Sequence, residues 1–257
     1  MTDAGDATRA RAWLHAVQAA VCDVIEPWEH GHVLRATRYP TYFDFNNVRV
    51  EDEADVTVDE LVRFADHALA GLGHRRVDVE PPEMAERLRP GFEELGWRGH
   101  RLVWMLHAGP RPDGYPVAVE QVAYDAVRHL RATWLKEDFP ELDPTRYLDE
   151  AREVAPLLGA EVLAAFDRGA PVAFVQLERA RGGAEVANVY VLPEHRGQGL
   201  GTALTEAAIA AAGDAEDVWI VADDEGRPKE LYARLGFRPV WTRAEFLLAQ
   251  AVQEEDV

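Results

Sequence analysis

A glycine-rich segment near residue 200 contains the residues best suited to chemistry. It follows a strand-like run that stops at Pro193, it leads directly into a helix, and it reads Arg196-Gly197-Gln198-Gly199-Leu200-Gly201-Thr202. At such a junction several backbone N–H groups lack helical partners and point to one spot at the positive end of the helix dipole. The glycines allow close approach of an anion and Arg196 can add a charge-assisted contact, so the segment predicts a pyrophosphate-binding loop.

The same residues exclude two other kinds of nucleotide-binding loop. A Walker loop requires a lysine directly before Ser or Thr, whereas Thr202 follows Gly201. A Rossmann loop requires a wider spacing before its third glycine, and Gly201 comes too early for it. The loop therefore calls for a different nucleotide cofactor.

Two motifs together resemble the GNAT superfamily of N-acetyltransferases. The first is Arg-x-x-Gly-x-Gly after Val-x-Val-x-Pro-x-x, from Val189 to Gly201, which is similar to the acetyl-CoA loop of that family. The second is Leu231-Tyr232-Ala233-Arg234-Leu235-Gly236-Phe237, a tyrosine followed by Leu-Gly-Phe. The resemblance extends from about Tyr115 to Leu248 and implies acetyl-CoA as co-substrate, with no metal ion.

The resemblance also implies a role for each matching residue. The strand with Val189, Tyr190 and Val191 would separate from the strand at residues 218–222, and the pantetheine arm would enter between them like an added strand. The Val191 N–H would stabilise the oxyanion, and Tyr232 would protonate the departing thiolate. The residues expected to contact acetyl-CoA are Val189, Tyr190, Val191, Arg196, Gly197, Gln198, Gly199, Leu200, Gly201 and Thr202.

Two parts of the family pattern are not matched by a definite residue. An Asn that often stands seven residues before the tyrosine is replaced by Glu225, which puts that contact with the cofactor arm in doubt. The general base is open, and the candidate carboxylates are Glu137, Asp138, Glu141 and Glu185.

The chain also contains an internal repeat. Phe92-Glu93-Glu94-Leu95-Gly96-Trp97-Arg98 aligns with Tyr232–Arg238 at an offset of 140 residues, and Asn47–Val50 aligns with Asn188–Val191 at an offset of 141. A segment with three prolines and two glycines, residues 110–116 with Gly109 before it, separates the halves. We therefore predict two tandem GNAT-like domains, at 1–109 and 117–257, joined by a linker at 110–116.

The N-terminal copy is expected to have lost the cofactor site. The phosphate loop maps onto Asp55-Val56-Thr57-Val58-Asp59-Glu60, which has no glycine and carries three carboxylates. Asp59 and Glu60 would begin a helix capped at Thr57 and would repel a pyrophosphate, and Phe92 replaces the tyrosine. We therefore expect one active site in the chain.

The predicted fold class is α/β (α+β), with a mixed, mostly antiparallel sheet flanked by helices in each copy. In the C-terminal half we expect the elements in this order: helices at Val119–Lys136 and Thr145–Leu157, strands at Glu161–Asp167, Pro171–Arg179 and Glu185–Leu192, a helix at Leu200–Ala212, a strand at Asp217–Ala222, a helix at Pro228–Leu235, and two strands at Phe237–Trp241 and Ala244–Leu248.

Composition limits the classes of function. The net charge of -19 disfavours binding to nucleic acid, and no apolar run is long enough for a membrane span, so a cytoplasmic protein is expected. Cys22, the only cysteine, lies in a run typical of a buried helix face, and His30 and His32 lack a third nearby ligand for a metal.

The sequence therefore predicts an acetyl-CoA-dependent N-acetyltransferase that acts on a primary amine of a small molecule or peptide by direct attack. The alternative is a non-catalytic acetyl-CoA sensor or an interaction scaffold with the same fold. The sequence does not identify the acceptor amine, the acyl-chain preference or the oligomeric state.

The loss of the N-terminal loop makes the stoichiometry of binding a test. Titration with acetyl-CoA in a calorimeter should give one site per chain, because only one of the two copies has glycines where the pyrophosphate would lie. A measured stoichiometry of two would contradict the degeneracy of the N-terminal copy.

Overall fold

The computed structural model of the chain describes residues 4–116, 119–140 and 143–249. No helix within these residues is long and apolar enough to cross a membrane. The residues expected to form the linker, 110–116, lie in neither a helix nor a strand, as three prolines and one glycine predict. Arg111 fixes this segment by donating hydrogen bonds to the carbonyl oxygens of Gly213 and Ala215.

The chain forms two compact units. The C-terminal unit comprises Met1–Val17 and Val103–Trp241, and the N-terminal unit comprises Gln18–Leu102 and Thr242–Val257. These boundaries differ from a single division at residues 110–116 because each of two long strands gives residues to both units. The domain boundaries expected from the sequence repeat, 1–109 and 117–257, therefore stay a prediction.

The N-terminal unit is a mixed sheet with two helices on one face. Its elements are β1 (Val24–Trp28), β2 (Gly31–Arg35), β3 (Asn47–Val50), α2 (Val58–Ala68), β4 (His74–Val79), α3 (Pro82–Glu94), the first part of β5 (Arg98–His107) and the last part of β11 (Phe237–Ala249). β1–β2 and β2–β3 pair antiparallel, β3–β4 pair parallel, and β4–β11 pair antiparallel. Its core includes Leu61, Leu88, Phe92 and Phe246, all of which are fully buried.

The C-terminal unit repeats this arrangement. Helix α1 (Ala4–Val21) begins in this unit, and the further elements are β6 (Val119–Val122), α4 (Arg128–Asp138), α5 (Pro144–Val154), β7 (Glu161–Asp167), β8 (Ala170–Ala180), β9 (Gly183–Val191), α6 (Leu200–Ala211), β10 (Val218–Asp223) and α7 (Pro228–Arg234). β6–β7, β7–β8 and β8–β9 pair antiparallel, whereas β9–β10 pair parallel.

From β1 in one unit and from β7 in the other, both units therefore have three antiparallel strands, a helix, a parallel strand, a helix and a further strand, in that order. This common order confirms the predicted tandem repeat and the predicted fold class. The closing strands come from the opposite halves of the sequence, since β11 pairs with β4 and β5 is the neighbour of β10.

The two faces of the sheet in the C-terminal unit pack against different helices. Along β8, Ala173, Val175 and Leu177 pack on the face that α6 covers, while Phe174 packs on the opposite face with residues of α4. α6 has the composition of a strong helix, and its buried alanines allow close packing on the strands. α6 and α4 therefore pack on opposite faces of the sheet.

Two predicted elements are wrong in detail. Val119–Lys136 is not one helix: residues 119–122 form β6, which pairs with β7, and helix α4 begins only at Arg128. The apolar spacing fits a helix, but pairing at the edge of the sheet decides the conformation of this short valine-containing run. The two closing strands are one strand, β11, because Thr242 and Arg243 provide no break.

Cys22 lies one residue after the end of α1, rather than within a helix face. Its thiol donates to the Phe45 carbonyl oxygen at 3.4 Å, and burial raises its pKa to about 12. A thiol with such a pKa is protonated at neutral pH, which agrees with a packing role and not with a nucleophile.

The cap of α2 allows a test of the N-terminal unit. Thr57 accepts a hydrogen bond from the Glu60 N–H, so Thr57→Ala should lower the free energy of unfolding in urea by about 1 kcal/mol. Thr57→Ser is the matched control and should stay close to wild type because it keeps the hydroxyl. Equal stability of the alanine variant and wild type would show that the cap contributes nothing.

Candidate active site

The parallel strands β9 and β10 pair only over a short stretch. The paired residues are Val218 with Ala184, Trp219 with Glu185, and Ile220 with Val186. β9 continues to Val191 and β10 continues to Asp223, but no pairing joins these extensions. A gap therefore opens between two strands whose facing backbone groups have no strand partner.

A β-bulge at Asn188 precedes the end of β9. Gln176 pairs with Ala187 and Phe174 pairs with Tyr190, so β9 contains one extra residue between these pairs. Asn188 has a φ of 52°, a conformation that Asn tolerates better than most residues. Because of the extra residue, Val189 and Val191 pack on the α6 side of the sheet and Tyr190 packs on the α4 side.

The backbone of Val191 points into the gap. The Leu192 N–H donates to the Val172 carbonyl oxygen at 3.0 Å, which makes Leu192 part of a hydrogen-bonded pair with β8. In an antiparallel pair the next residue directs its N–H and C=O to the other side, so those of Val191 point away from β8. Its carbonyl oxygen accepts from Arg196 Nε at 2.9 Å, and its N–H remains directed toward the gap.

The glycine loop joins the end of β9 to α6. Gly197 and Gly199 have φ values of 76° and 82°, and no atom lies within 4 Å of the position that a Cβ would take at either residue. Gly199 is the N-cap of α6 and no side chain caps this helix. The first-turn N–H groups of Leu200, Gly201 and Thr202 consequently lack helical partners, in a position open to an anion.

Arg196, Glu137 and Tyr190 form a hydrogen-bonded cluster beside this loop. Arg196 Nη2 donates to Glu137 Oε2 at 2.9 Å, and the Tyr190 hydroxyl donates to Glu137 Oε1 at 2.6 Å. The hydrogen bond from Tyr190, supported by Arg196, holds the pKa of Glu137 below its usual range. The Tyr190 pKa is raised because its ring is buried and because its hydroxyl donates to a carboxylate.

Tyr232 lies in α7, in the same core cluster on which Val189, Val191 and Leu200 pack. Its ring meets Phe237 edge to face, with 6.2 Å between the ring centroids. Gly201 and the neighbouring Leu231 are close, since a Cβ at Gly201 would lie 3.6 Å from the Leu231 side chain. Burial raises the Tyr232 pKa to about 12, so its hydroxyl carries a proton at neutral pH.

The other candidate residues have hydrogen-bond partners of their own. Glu185 accepts a hydrogen bond from Trp13 Nε1 at 2.9 Å, and Glu137 is held by Tyr190 and Arg196. Glu225 is exposed in the turn after β10, where its N–H donates to Asp223 Oδ1 at 2.8 Å. Glu141 lies outside the described residues. The described residues contain no group of three or more side chains arranged to hold a metal ion.

The matching region of the N-terminal unit is closed. β3 stays paired with β4 to its last residue, Val50, whose carbonyl oxygen accepts from the Glu80 N–H at 2.9 Å. Helix α2 begins with a capping box between Thr57 and Glu60, as the sequence predicted. Phe92, at the position of Tyr232, is fully buried and stacks on Phe246.

The sequence pattern pointed to the loop and the tyrosine as candidates, but it did not indicate the bulge at Asn188 or the two hydrogen bonds that Glu137 accepts. An Asn in a β-branched strand is a weak signal for a bulge. The contact of Glu137 depends on where α4 ends relative to β9, and no local spacing contains that information.

Comparison with known proteins agrees with this geometry. Residues 159–239 match the family model described as an acetyltransferase (GNAT) domain. No curated protein is matched by the sequence.

Two solved structures have a similar fold over most of the chain. A GCN5-related N-acetyltransferase from Kribbella flavida is 21% identical, with 93% of this chain and 94% of that chain covered and a TM-score of 0.56. A functionally unknown conserved protein from Staphylococcus epidermidis ATCC 12228 is 16% identical, with coverage of 89% and 94% and a TM-score of 0.67.

Burial of Tyr232 predicts a dependence of stability on alkaline pH. The folded state raises the pKa of this phenol from 10.0 to about 12. Above pH 10 the unfolded chain loses the phenol proton while the folded protein keeps it. The free energy of unfolding should therefore fall by up to ~2–3 kcal/mol as the pH rises from 10 to about 12. Urea unfolding at pH 9 and pH 11.5 should show a smaller decrease for Tyr232→Phe than for wild type. Equal decreases would contradict the raised pKa.

Proposed function

We propose that the chain transfers the acetyl group of acetyl-CoA to a primary amine of a small molecule or peptide by direct attack. The observation that carries this proposal is the gap between β9 and β10, into which the Val191 N–H points and beside which the uncapped α6 begins. The family match of residues 159–239 supports the same class of reaction.

Acetyl-CoA would bind along the gap. Its pantetheine arm is an extended chain with amide groups, and it can hydrogen-bond to the unpaired edge of β9 as an added strand does. The N–H groups of Gln198, Gly199, Leu200, Gly201 and Thr202 would receive the pyrophosphate at the start of α6. Arg196 would add a positive charge next to them.

The chemical step forms one bond and breaks another. The neutral amine attacks the thioester carbonyl carbon, and the carbonyl oxygen becomes an oxyanion that the Val191 N–H stabilises. The intermediate loses the extra proton of its nitrogen to solvent, the C–S bond breaks, and Tyr232 donates its proton to the leaving thiolate. The phenol is then reprotonated from solvent, and the products are an amide and CoA.

Tyr232 suits this role because it stays protonated. Its raised pKa keeps the proton on the phenol at neutral pH, and no hydrogen bond engages its hydroxyl within the described residues. A thiol is a stronger acid than this phenol, so the proton transfer is uphill by itself, and the reprotonation of the phenolate from solvent completes it.

The repeat is proposed to consist of one active and one degenerate copy, at 117–257 and 1–109. In the N-terminal unit the strands β3 and β4 leave no gap, and Thr57 and Glu60 satisfy the start of α2. That unit therefore offers no strand edge to the pantetheine arm, and the carboxylates of Asp59 and Glu60 at the start of α2 would repel a pyrophosphate.

Two variants separate binding from chemistry. Gly199→Glu should weaken acetyl-CoA binding by roughly 100-fold or more, because it strains a residue at φ 82° and adds a carboxylate where the pyrophosphate would lie. Tyr232→Phe should lower kcat by about 100-fold with little change in the dissociation constant of acetyl-CoA. Calorimetry gives the dissociation constants, and thiol release with a panel of amines gives the rates.

The controls are Gly199→Ala, which adds strain without charge and should have an intermediate effect, and Tyr115→Phe, which removes an exposed phenol hydroxyl. An unchanged rate in Tyr232→Phe removes that residue as the acid. Tight binding of acetyl-CoA without turnover of any amine would instead favour a sensor or scaffold.

A further inference from the structure

Glu137, near the end of α4, accepts hydrogen bonds from Tyr190 near the end of β9 and from Arg196 at the start of the glycine loop. We propose that Glu137 is a positioning residue of the acetyl-CoA site, which acts by fixing Arg196 and Tyr190. The cluster of these three residues is called the Glu137 clamp below. This inference rests on the proposed function, because it concerns the loop that would hold the pyrophosphate.

The Tyr190 side of the clamp fixes the strand. The Tyr190 ring is 4% exposed and packs between Trp134 and Phe174, with ring centroids 6.2 and 6.1 Å away. Its hydroxyl donates to Glu137 Oε1 at 2.6 Å, so both the ring and the polar end are held from α4 and β8. Val191 is the next residue, and its N–H direction depends on the same stretch of backbone.

The Arg196 side of the clamp fixes the loop. Nε donates to the Val191 carbonyl oxygen and Nη2 donates to Glu137 Oε2, each at 2.9 Å. The guanidinium also lies over the Tyr190 ring, 5.8 Å from its centroid. Two hydrogen bonds from a planar guanidinium, from Nε and Nη2, define its orientation. The Arg196 side chain is 53% exposed, so its remaining N–H groups are open to a phosphate oxygen.

Glu137 has two opposing effects on a bound anion. Its negative charge repels a phosphate, but that charge is paired with Arg196, and the side chain is 35% exposed, so water screens it. Glu137 also holds Arg196 and Tyr190 in place, and this favours binding because these side chains lose less conformational entropy when the cofactor binds. We expect orientation to dominate, since both oxygens of the carboxylate are engaged.

Whether Glu137→Gln weakens or tightens the binding of acetyl-CoA decides between these two effects. Glu137→Gln keeps the shape of the side chain but removes one of the two acceptor oxygens, so the dissociation constant of acetyl-CoA should rise about 5-fold to 10-fold by calorimetry. Asp149→Asn is the matched control, because it removes another partly exposed carboxylate paired with an arginine, Arg128, at 2.8 Å. It should change the dissociation constant less than 2-fold.

A double-mutant cycle separates positioning from a general effect on folding. If Glu137 acts largely through Arg196, then Glu137→Gln should change binding less than 2-fold when Arg196→Gln is already present. The same fold-change in both backgrounds would show that Glu137 does not act through Arg196. Tighter binding in Glu137→Gln would make it a competitor of the phosphate. Either result overturns the inference.

The experiment distinguishes this inference from the proposed function. Wild-type protein that binds acetyl-CoA and releases CoA in the presence of an amine, together with an unchanged Glu137→Gln variant, would contradict only the role of Glu137. Wild-type protein that fails to bind acetyl-CoA would contradict the proposed function and this inference with it.

Discussion

The separation of β9 from β10 is the constraint on which the rest of the site depends. Pairing stops after Val186, and the bulge at Asn188 turns Tyr190 to the α4 side and the Val191 N–H toward the gap. Without the extra residue, the side chains beyond it would exchange faces, and Tyr190 would point into the core under α6. The glycine loop, α6 and α7 then border a gap that the strand itself creates.

The two units show how one fold produces an open and a closed version of this region. Both contain a parallel pair of strands followed by a helix, yet β3 remains paired to its end at Val50 while β9 does not. The closed version satisfies its backbone internally, through the Glu80 N–H and the cap at Thr57. A difference of one bulge and a few loop residues therefore separates a potential cofactor site from a self-sufficient sheet.

The sequence predicts the parts of the structure that depend on local chemistry. The loop glycines, the cap at Thr57, most helices and strands of the C-terminal half and the repeat all follow from spacing and residue type. It fails where pairing between distant segments decides, as at Val119–Val122, whose helical spacing is overridden by pairing with β7. The contact of Glu137 with Tyr190 and Arg196 likewise joins residues from distant segments of the chain, which no periodicity encodes.

The starts of α2 and α6 have different consequences for stability. At the start of α2 a capping box satisfies the N–H groups of Thr57 and Glu60 from within the chain. α6 begins at Gly199 without a side-chain cap, and its first N–H groups are left to solvent or to an anion. Only the folded unit arranges these groups together, so an anion bound there stabilises the folded state by mass action. With Gly199 at its start, α6 therefore lacks the stabilisation that a side-chain cap gives and gains stabilisation only when an anion binds.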